Sequence, residues 1–159
     1  MKILVIGLGS MGKRRIRCLK ALNEDDIAGF DKREDRREEV KNKYGVLCYE
    51  NFKKALTEFN PEAFVISVPP DLHHIYVEAA IKHRKHFFVE ASVVDSGMLD
   101  SIEALKKLDI IAAPSATLYF HPAIQLIDSI VKSGELGRLS NILLQSGPYL
   151  PDWPTYEPV

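Results

Sequence analysis

The chain of 159 residues is 46% hydrophobic and 27% charged, with a formal net charge of -1. This composition is ordinary for a globular protein, and the near-neutral charge gives no whole-molecule reason to expect nucleic acid or acidic membranes as partners. The length allows one full domain and the beginning of a second.

Short apolar runs alternate with longer amphipathic stretches almost to residue 114. Strands are predicted at 3–6, 27–30, 46–49, 63–68, 86–89 and 110–113. Helices are predicted at 11–22, 34–44, 52–59, 71–83 and 97–108. The strand runs lack polar alternation, which is typical of parallel strands covered by helices on both faces. The pattern predicts an α/β fold with a doubly wound parallel sheet of the Rossmann type.

The strand–helix alternation stops after residue 114. A helix is predicted at 122–132 and a strand at 139–145, followed by a proline- and aromatic-rich stretch at 148–154 that can continue neither. A lone strand has nothing to pair with here. We therefore expect a first domain at 1–118, and at 119–159 a linker helix and the first strand of an incomplete α+β domain.

A glycine-rich turn, Gly7-Leu8-Gly9-Ser10-Met11-Gly12, follows the first strand and opens the first helix. Gly7 permits the tight turn, Gly9 lets the backbone approach a pyrophosphate, and Gly12 allows the helix to pack closely on the strand. The free amides of Ser10, Met11 and Gly12 lie at the positive end of the helix, where an anion is stabilised. The motif in this context predicts a dinucleotide site.

An acidic residue ends the second predicted strand at the position expected for a ribose contact. The Asp31 carboxylate can accept hydrogen bonds from the adenosine ribose hydroxyls and repels the 2′-phosphate of NADP. The neighbouring Lys32 and Arg33 could instead recruit that phosphate. We favour NAD over NADP. The alternatives are a glycine turn that binds nothing, and flavin, which shares the motif.

Several further segments resemble the glucose–fructose oxidoreductase / inositol dehydrogenase (Gfo/Idh/MocA) family. The resemblance covers essentially the whole chain and rests on segments 7–15, 67–73, 85–90, 120–123 and 133–137. The order and spacing of these segments together are more specific than any one of them. The resemblance implies a nicotinamide dinucleotide cofactor and a sugar- or polyol-like substrate. It also implies that the sheet of the second domain is a homo-oligomer surface.

The resemblance implies further cofactor contacts, which lie after the fourth and fifth strands. Contacts expected towards the nicotinamide are Ser67, Val68, Pro69 and His73. Glu90 is expected at the same end, although a structural role at the strand terminus is an equal alternative. The alternative for His73 is a solvent-exposed residue at a helix start, and that alternative is favoured for His74. For Asp71 we prefer helix capping.

The sequence departs from the family at the position of the usual catalytic lysine. Members carry Glu-Lys-Pro after the fifth strand, whereas this chain reads Glu90-Ala91-Ser92. Alanine has no proton to transfer, so the lysine's role cannot be carried over and no catalytic residue is assigned. Arg15 stands where a histidine is common, and Thr117-Leu118-Tyr119 replaces the more usual Asn-x-Arg.

Other polar residues do not predict a second kind of site. Arg14 belongs to a basic helix start that we interpret as a solvated face, and no histidine has the spacing of a metal site. Cys18 and Cys48 are predicted to be free thiols in a reducing compartment. The apolar start is too short for a signal peptide, and no stretch approaches the roughly 20 residues of a membrane helix. We expect a cytoplasmic protein.

The favoured hypothesis is the nucleotide-binding part of an NAD(P)-dependent oxidoreductase that transfers hydride at nicotinamide C4. This chain alone is expected to be inactive, because the family's other acid–base groups lie in the second domain. One alternative is a non-catalytic dinucleotide-binding module or degenerate enzyme, which Ala91 favours. Another is a homoserine- or amino-acid-type dehydrogenase, which the segment 85–90 disfavours.

Overall fold

A computed structural model of the chain describes residues 1–91 and 94–145. Its centre is a sheet of six strands in the order β3-β2-β1-β4-β5-β6, with every neighbouring pair parallel. The strands are β1 (Ile3–Ile6), β2 (Ile27–Phe30), β3 (Leu47–Tyr49), β4 (Ala63–Ile66), β5 (His86–Val89) and β6 (Ala112–Pro114). This order is that of a Rossmann fold, and it confirms the predicted fold class.

Helices connect the strands in alternation, as right-handed crossovers require. They are α1 (Ser10–Ala21), α2 (Glu34–Tyr44), α3 (Phe52–Lys54), α4 (His73–Lys82), α5 (Met98–Leu105) and α6 (Pro122–Ser133). The helix predicted at 52–59 is α3 followed by a π-helical turn, Ala55–Phe59. A 3₁₀ turn, Pro70–Leu72, precedes α4, so the fourth strand ends at Ile66 rather than at the predicted residue 68.

Helix α2 forms although its sequence is almost entirely charged. Acidic Glu34 and Asp35 lie in its first turn and lysines in its last, which complements the helix dipole. Gly45 ends the helix in the left-handed conformation, with φ of 65°. Val40 is its buried residue and attaches the helix to the sheet.

The continuous apolar strands are explained by burial on both faces of the sheet. In β1, Ile3 and Val5 pack with Ile16 of α1, whereas Leu4 and Ile6 pack on the opposite face. That second face includes an aromatic cluster with ring centroids 5.2–6.1 Å apart, formed by Phe30, Phe52, Phe64 and Tyr76. Buried side chains on both faces of the sheet therefore hold the strands in position.

The chain divides into two compact units, Met1–Ala116 and Thr117–Val159. In the second unit the His121 side chain caps α6 by accepting a hydrogen bond from the amide of Ala123 at 3.2 Å. The strand predicted at 139–145 is wrong: these residues are described without regular secondary structure. A strand needs a hydrogen-bonded neighbour, and no described residue supplies one. The proline-rich stretch at 148–154 lies outside the described residues.

The described helices include none that is both long and apolar enough to cross a membrane.

The prediction that Asp71 caps a helix is wrong. No side-chain cap hydrogen bond is made at the start of either the 3₁₀ turn or α4, where the N-cap residues are Pro69 and Leu72.

The two cysteines differ in their surroundings and are expected to differ in reactivity. Burial raises the pKa of the Cys48 thiol to about 11, so at pH 8 only about one thousandth of it is thiolate, the reactive form. Cys18 is exposed. Iodoacetamide at pH 8 should modify Cys18 and leave Cys48 intact, as read by mass spectrometry. Cys48 should react only as the pH approaches 11 or in urea. Rapid native modification of Cys48 at pH 8 would contradict its burial.

Candidate dinucleotide-binding site

The turn between β1 and α1 closes so tightly that two of its glycines are required by the fold itself. A Cβ atom at Gly12 would lie 1.8 Å from the carbonyl oxygen of Gly7. Gly7 has a φ of +89°, and its Cβ would lie 2.7 Å from the carbonyl oxygen of Ser67. A side chain at either position is therefore excluded before any ligand is considered.

Gly9 differs, because the fold leaves room beside it. The nearest atom to a Cβ at Gly9 is Nη1 of Arg36 at 3.6 Å, which is an ordinary van der Waals contact. The space is bordered by the end of a flexible side chain rather than by backbone, and it would be reduced by a methyl group. Gly9 is also the N-cap of α1, with no side-chain cap hydrogen bond and no acidic residue in the first turn. The first amides of α1, from Ser10, Met11 and Gly12, therefore suit a pyrophosphate.

Asp31 lies directly beside this turn and ties it to β2. Its Oδ2 accepts a hydrogen bond from the amide of Leu8 at 2.8 Å, and its Oδ1 accepts one from the amide of Arg33 at 2.9 Å. The residue is only 8% exposed. The neighbouring Lys32 is exposed. The carboxylate thus faces the glycine turn, where an adenosine ribose would lie.

The segment after β4 lies against the glycine turn, because β4 is the neighbour of β1 in the sheet. The Ser67 amide donates to the carbonyl of Ile6 at 2.8 Å, and Pro69 is exposed at the following turn. His73 is only 5% exposed, so the solvent-exposed alternative for it is wrong. Its Nε2 lies 2.9 Å from the carbonyl oxygen of Val68. His74, for which exposure was favoured, is half-buried.

Three buried polar atoms in this segment have no partner among the residues that the structure describes. They are Ser67 Oγ, His73 Nδ1 and His74 Nδ1. Because Nε2 of His73 faces a carbonyl oxygen, it donates, which leaves Nδ1 of a neutral ring as an acceptor. Buried polar atoms are nearly always hydrogen-bonded, so an external donor or acceptor is expected here. The residues present fit a dinucleotide.

Glu90 has a partner that the sequence did not reveal. Both of its carboxylate oxygens accept from the Arg15 guanidinium, at 2.6 and 2.8 Å, and the side chains are 13% and 23% exposed. The guanidinium also lies 4.6 Å from the centroid of the Phe88 ring. The hydrogen bond to Glu90 raises the pKa of Arg15. This bidentate pair joins α1 to the end of β5.

Arg14 is exposed, in agreement with the interpretation of this basic segment as a solvated face, but Arg15 beside it is not. No signal in the sequence distinguished the two. Ala91, at the position of the family lysine, is exposed at the edge of the described segment. Within residues 1–91 and 94–145, no group of three or more His, Cys, Asp or Glu side chains could hold a metal ion.

The fold and the turn define a dinucleotide-binding Rossmann domain. The chain belongs to the Gfo/Idh/MocA oxidoreductase family, whose profile, described as an oxidoreductase family with an NAD-binding Rossmann fold, matches residues 1–114. Its cofactor is therefore a nicotinamide dinucleotide rather than a flavin, and the homoserine-type alternative is not supported. No curated protein sequence matches the chain significantly.

Solved structures of dehydrogenases share this fold. A probable dehydrogenase from Thermotoga maritima is 30% identical with a TM-score of 0.76, covering 86% of this chain and 42% of that chain. Myo-inositol 2-dehydrogenase from Lactobacillus plantarum is 22% identical with a TM-score of 0.77, covering 86% and 42%. The WlbA dehydrogenase from Bordetella pertussis, in complex with NADH and UDP-GlcNAcA, is 16% identical with a TM-score of 0.76, covering 86% and 44%. The chain spans less than half the length of these proteins.

The contrast between Gly9 and Gly12 can be tested by adding one methyl group at each. Gly12→Ala should lower the free energy of unfolding by roughly 3 kcal/mol or more, because Cβ overlaps a backbone carbonyl. Gly9→Ala should lower it by no more than about 1 kcal/mol, as for other changes at an N-cap. Urea unfolding followed by circular dichroism measures both. Equal losses for the two variants would show that Gly9 is also a structural glycine.

The Arg15–Glu90 pair is expected to stabilise the domain. Arg15→Met keeps an apolar chain over Phe88 but leaves the Glu90 carboxylate without its partner, and should cost roughly 1.5–3 kcal/mol. The double variant Arg15→Met/Glu90→Gln should recover part of that loss. Urea midpoints of the two variants and the wild type provide the comparison. A single-variant loss below about 0.5 kcal/mol, the range of an ordinary surface change, would mean that the pair is only a surface contact.

Proposed function

We propose that the chain is the nucleotide-binding part of an NAD(P)-dependent oxidoreductase of the sugar- or polyol-dehydrogenase type. The observation that carries the proposal is Gly9, which among the described residues is approached only by the end of the Arg36 side chain, beside a helix start without a side-chain cap and beside the buried carboxylate of Asp31. These three features fit a pyrophosphate and its adjoining ribose. The family supplies the class of chemistry.

Each part of the dinucleotide has matching residues in this proposal. The amides of Ser10, Met11 and Gly12 hold the pyrophosphate, and Gly9 lets it approach the backbone. The adenosine ribose lies at Asp31, with Lys32 at its exposed side. The Asp31 carboxylate by itself repels a 2′-phosphate and so favours NAD, unless a neighbouring basic side chain offsets its charge.

The nicotinamide half is proposed to lie along the segment after β4. Ser67, Val68, Pro69 and His73 border it, and the partnerless Ser67 Oγ and His73 Nδ1 support this placement. Glu90 lies at the same end of the sheet but is held by Arg15, so we assign it an orienting role at the end of β5 rather than a free hydrogen-bonding role.

The bound nicotinamide would supply hydride chemistry at its C4 atom, and this chain's residues would bind and orient it. A proton must also be transferred when a hydroxyl and a carbonyl interconvert. Ala91 cannot do this, so the proton-transfer residue belongs to a part of the protein beyond the described site. We propose that 119–159 opens the second domain, which builds the substrate pocket and an oligomer surface in a cytoplasmic enzyme.

Two findings support the sugar or polyol class of substrate. One neighbour with the same fold is a myo-inositol dehydrogenase, and another was solved with the sugar nucleotide UDP-GlcNAcA. The alternative of a non-catalytic dinucleotide-binding module rests on Ala91, which removes the proton-transfer group usual in the family. The two proposals share the cofactor site and differ only in turnover.

Calorimetric titration tests the shared site. The wild-type chain should bind NADH with one-to-one saturation, and Gly9→Ala should bind it at least about tenfold more weakly, because Cβ occupies the space of the pyrophosphate. Gly9→Ala is a better control than Asp31→Ala, since Asp31 also accepts hydrogen bonds from two backbone amides. A folded wild-type chain that binds neither NADH nor NADPH would contradict the proposal.

A further inference from the structure

Basic residues follow β2 in a short segment next to the proposed ribose position, but most are held by the protein. The Arg33 guanidinium pairs with the Asp35 carboxylate at 3.0 and 2.5 Å. The Arg37 guanidinium donates to the carbonyl oxygens of Asp31 and Lys32 at 3.0 and 2.8 Å. Arg37 is therefore held against the protein, whereas Arg33 is 58% exposed and paired with the neighbouring carboxylate of its own segment.

Arg36 is held differently. Its Nη1 lies 3.5 Å from Oδ2 of Asp31, at the outer limit of a hydrogen bond. The same Nη1 is the atom that a Cβ at Gly9 would meet at 3.6 Å. The guanidinium therefore stands between the ribose-facing carboxylate and the phosphate-facing glycine. Its side chain is 26% exposed, so it can reach a ligand without unfolding anything.

The Asp31 carboxylate can accept a limited number of hydrogen bonds, so the contact with Arg36 affects which ribose can bind there. A carboxylate offers about four acceptor sites. The amides of Leu8 and Arg33 use two, and Arg36 uses a third. About one site is left, whereas the adenosine ribose of NAD brings two free hydroxyls, at the 2′ and 3′ positions. Both hydroxyls can bind Asp31 only if the contact between Arg36 and Asp31 is broken.

The ribose of NADP fits the arrangement without that displacement. It carries one free hydroxyl, which matches the remaining site on Asp31, and a 2′-phosphate, which an arginine binds through charge-assisted hydrogen bonds. Arg36 between the two anions also offsets their mutual repulsion.

We propose that Arg36 determines the preference of this chain between the two dinucleotides. It competes with the ribose hydroxyls of NAD for Asp31 and binds the 2′-phosphate of NADP, so the wild-type chain accepts both. The inference rests on the proposed dinucleotide site and adds the residue that selects between its ligands.

Titration of variants with NADH and NADPH tests this role. Arg36→Ala should weaken NADPH binding about tenfold or more and leave NADH binding unchanged or tighter, because a charge-assisted contact is lost in one case and a competitor in the other. Arg36→Lys should retain part of the NADPH affinity. Lys41→Ala removes a positive charge from the same helix and should change both affinities less than about twofold.

Titration with adenosine 2′,5′-bisphosphate and with adenosine 5′-monophosphate isolates the ribose, and Arg36→Ala should weaken only the first. Urea midpoints verify that each variant is folded, with Arg36→Gln replacing Arg36→Ala if the latter is not. The proposal is overturned if the arginine variants weaken NADH and NADPH equally, or if Arg33→Ala alone causes the NADPH loss. Wild-type binding of NADH without NADPH overturns only the role of Arg36, whereas binding of neither overturns the dinucleotide site as well.

Discussion

The contact between the Gly7 carbonyl and the backbone at Gly12 is the constraint on which the site depends. It brings the first turn of α1 against the end of β1 with no room for a Cβ atom. The helix therefore begins where the strand ends, and its free amides point out of the carboxyl edge of the sheet. Because β4 lies beside β1, the segment after β4 meets the same turn, and the opening between them is the topological switch point of the fold.

Much of this arrangement could be predicted from the pattern of residues. Runs such as Ile3–Ile6 are apolar at every position because both faces of the sheet are covered, and that pattern indicates parallel strands. The limits of α2 were also predictable, since Gly45 adopts the left-handed conformation that ends a helix. Local chemistry and global packing agree in these elements.

The predictions failed where a distant or missing partner decides the outcome. A strand at 139–145 has suitable residues, but strand formation depends on a neighbouring strand that local sequence does not supply. Arg15 and Arg14 are adjacent and chemically identical, and only the position of Glu90 at the end of β5 distinguishes them. His73 is buried with Tyr76 and Ala80 on one face of α4, where its Nε2 lies 2.9 Å from the carbonyl oxygen of Val68.

The two hydrogen bonds that Asp31 accepts from backbone amides link recognition to the integrity of the fold. A carboxylate that holds two loops in place cannot be exchanged freely during evolution or design, even when a different cofactor would be advantageous. The hydrogen bond between Arg36 and Asp31 is long, and the Arg36 side chain is partly exposed, so replacing Arg36 should disturb the fold less. Adaptation of cofactor use in this lineage is therefore easier through the first turn of α2 than through the acidic residue that ends β2.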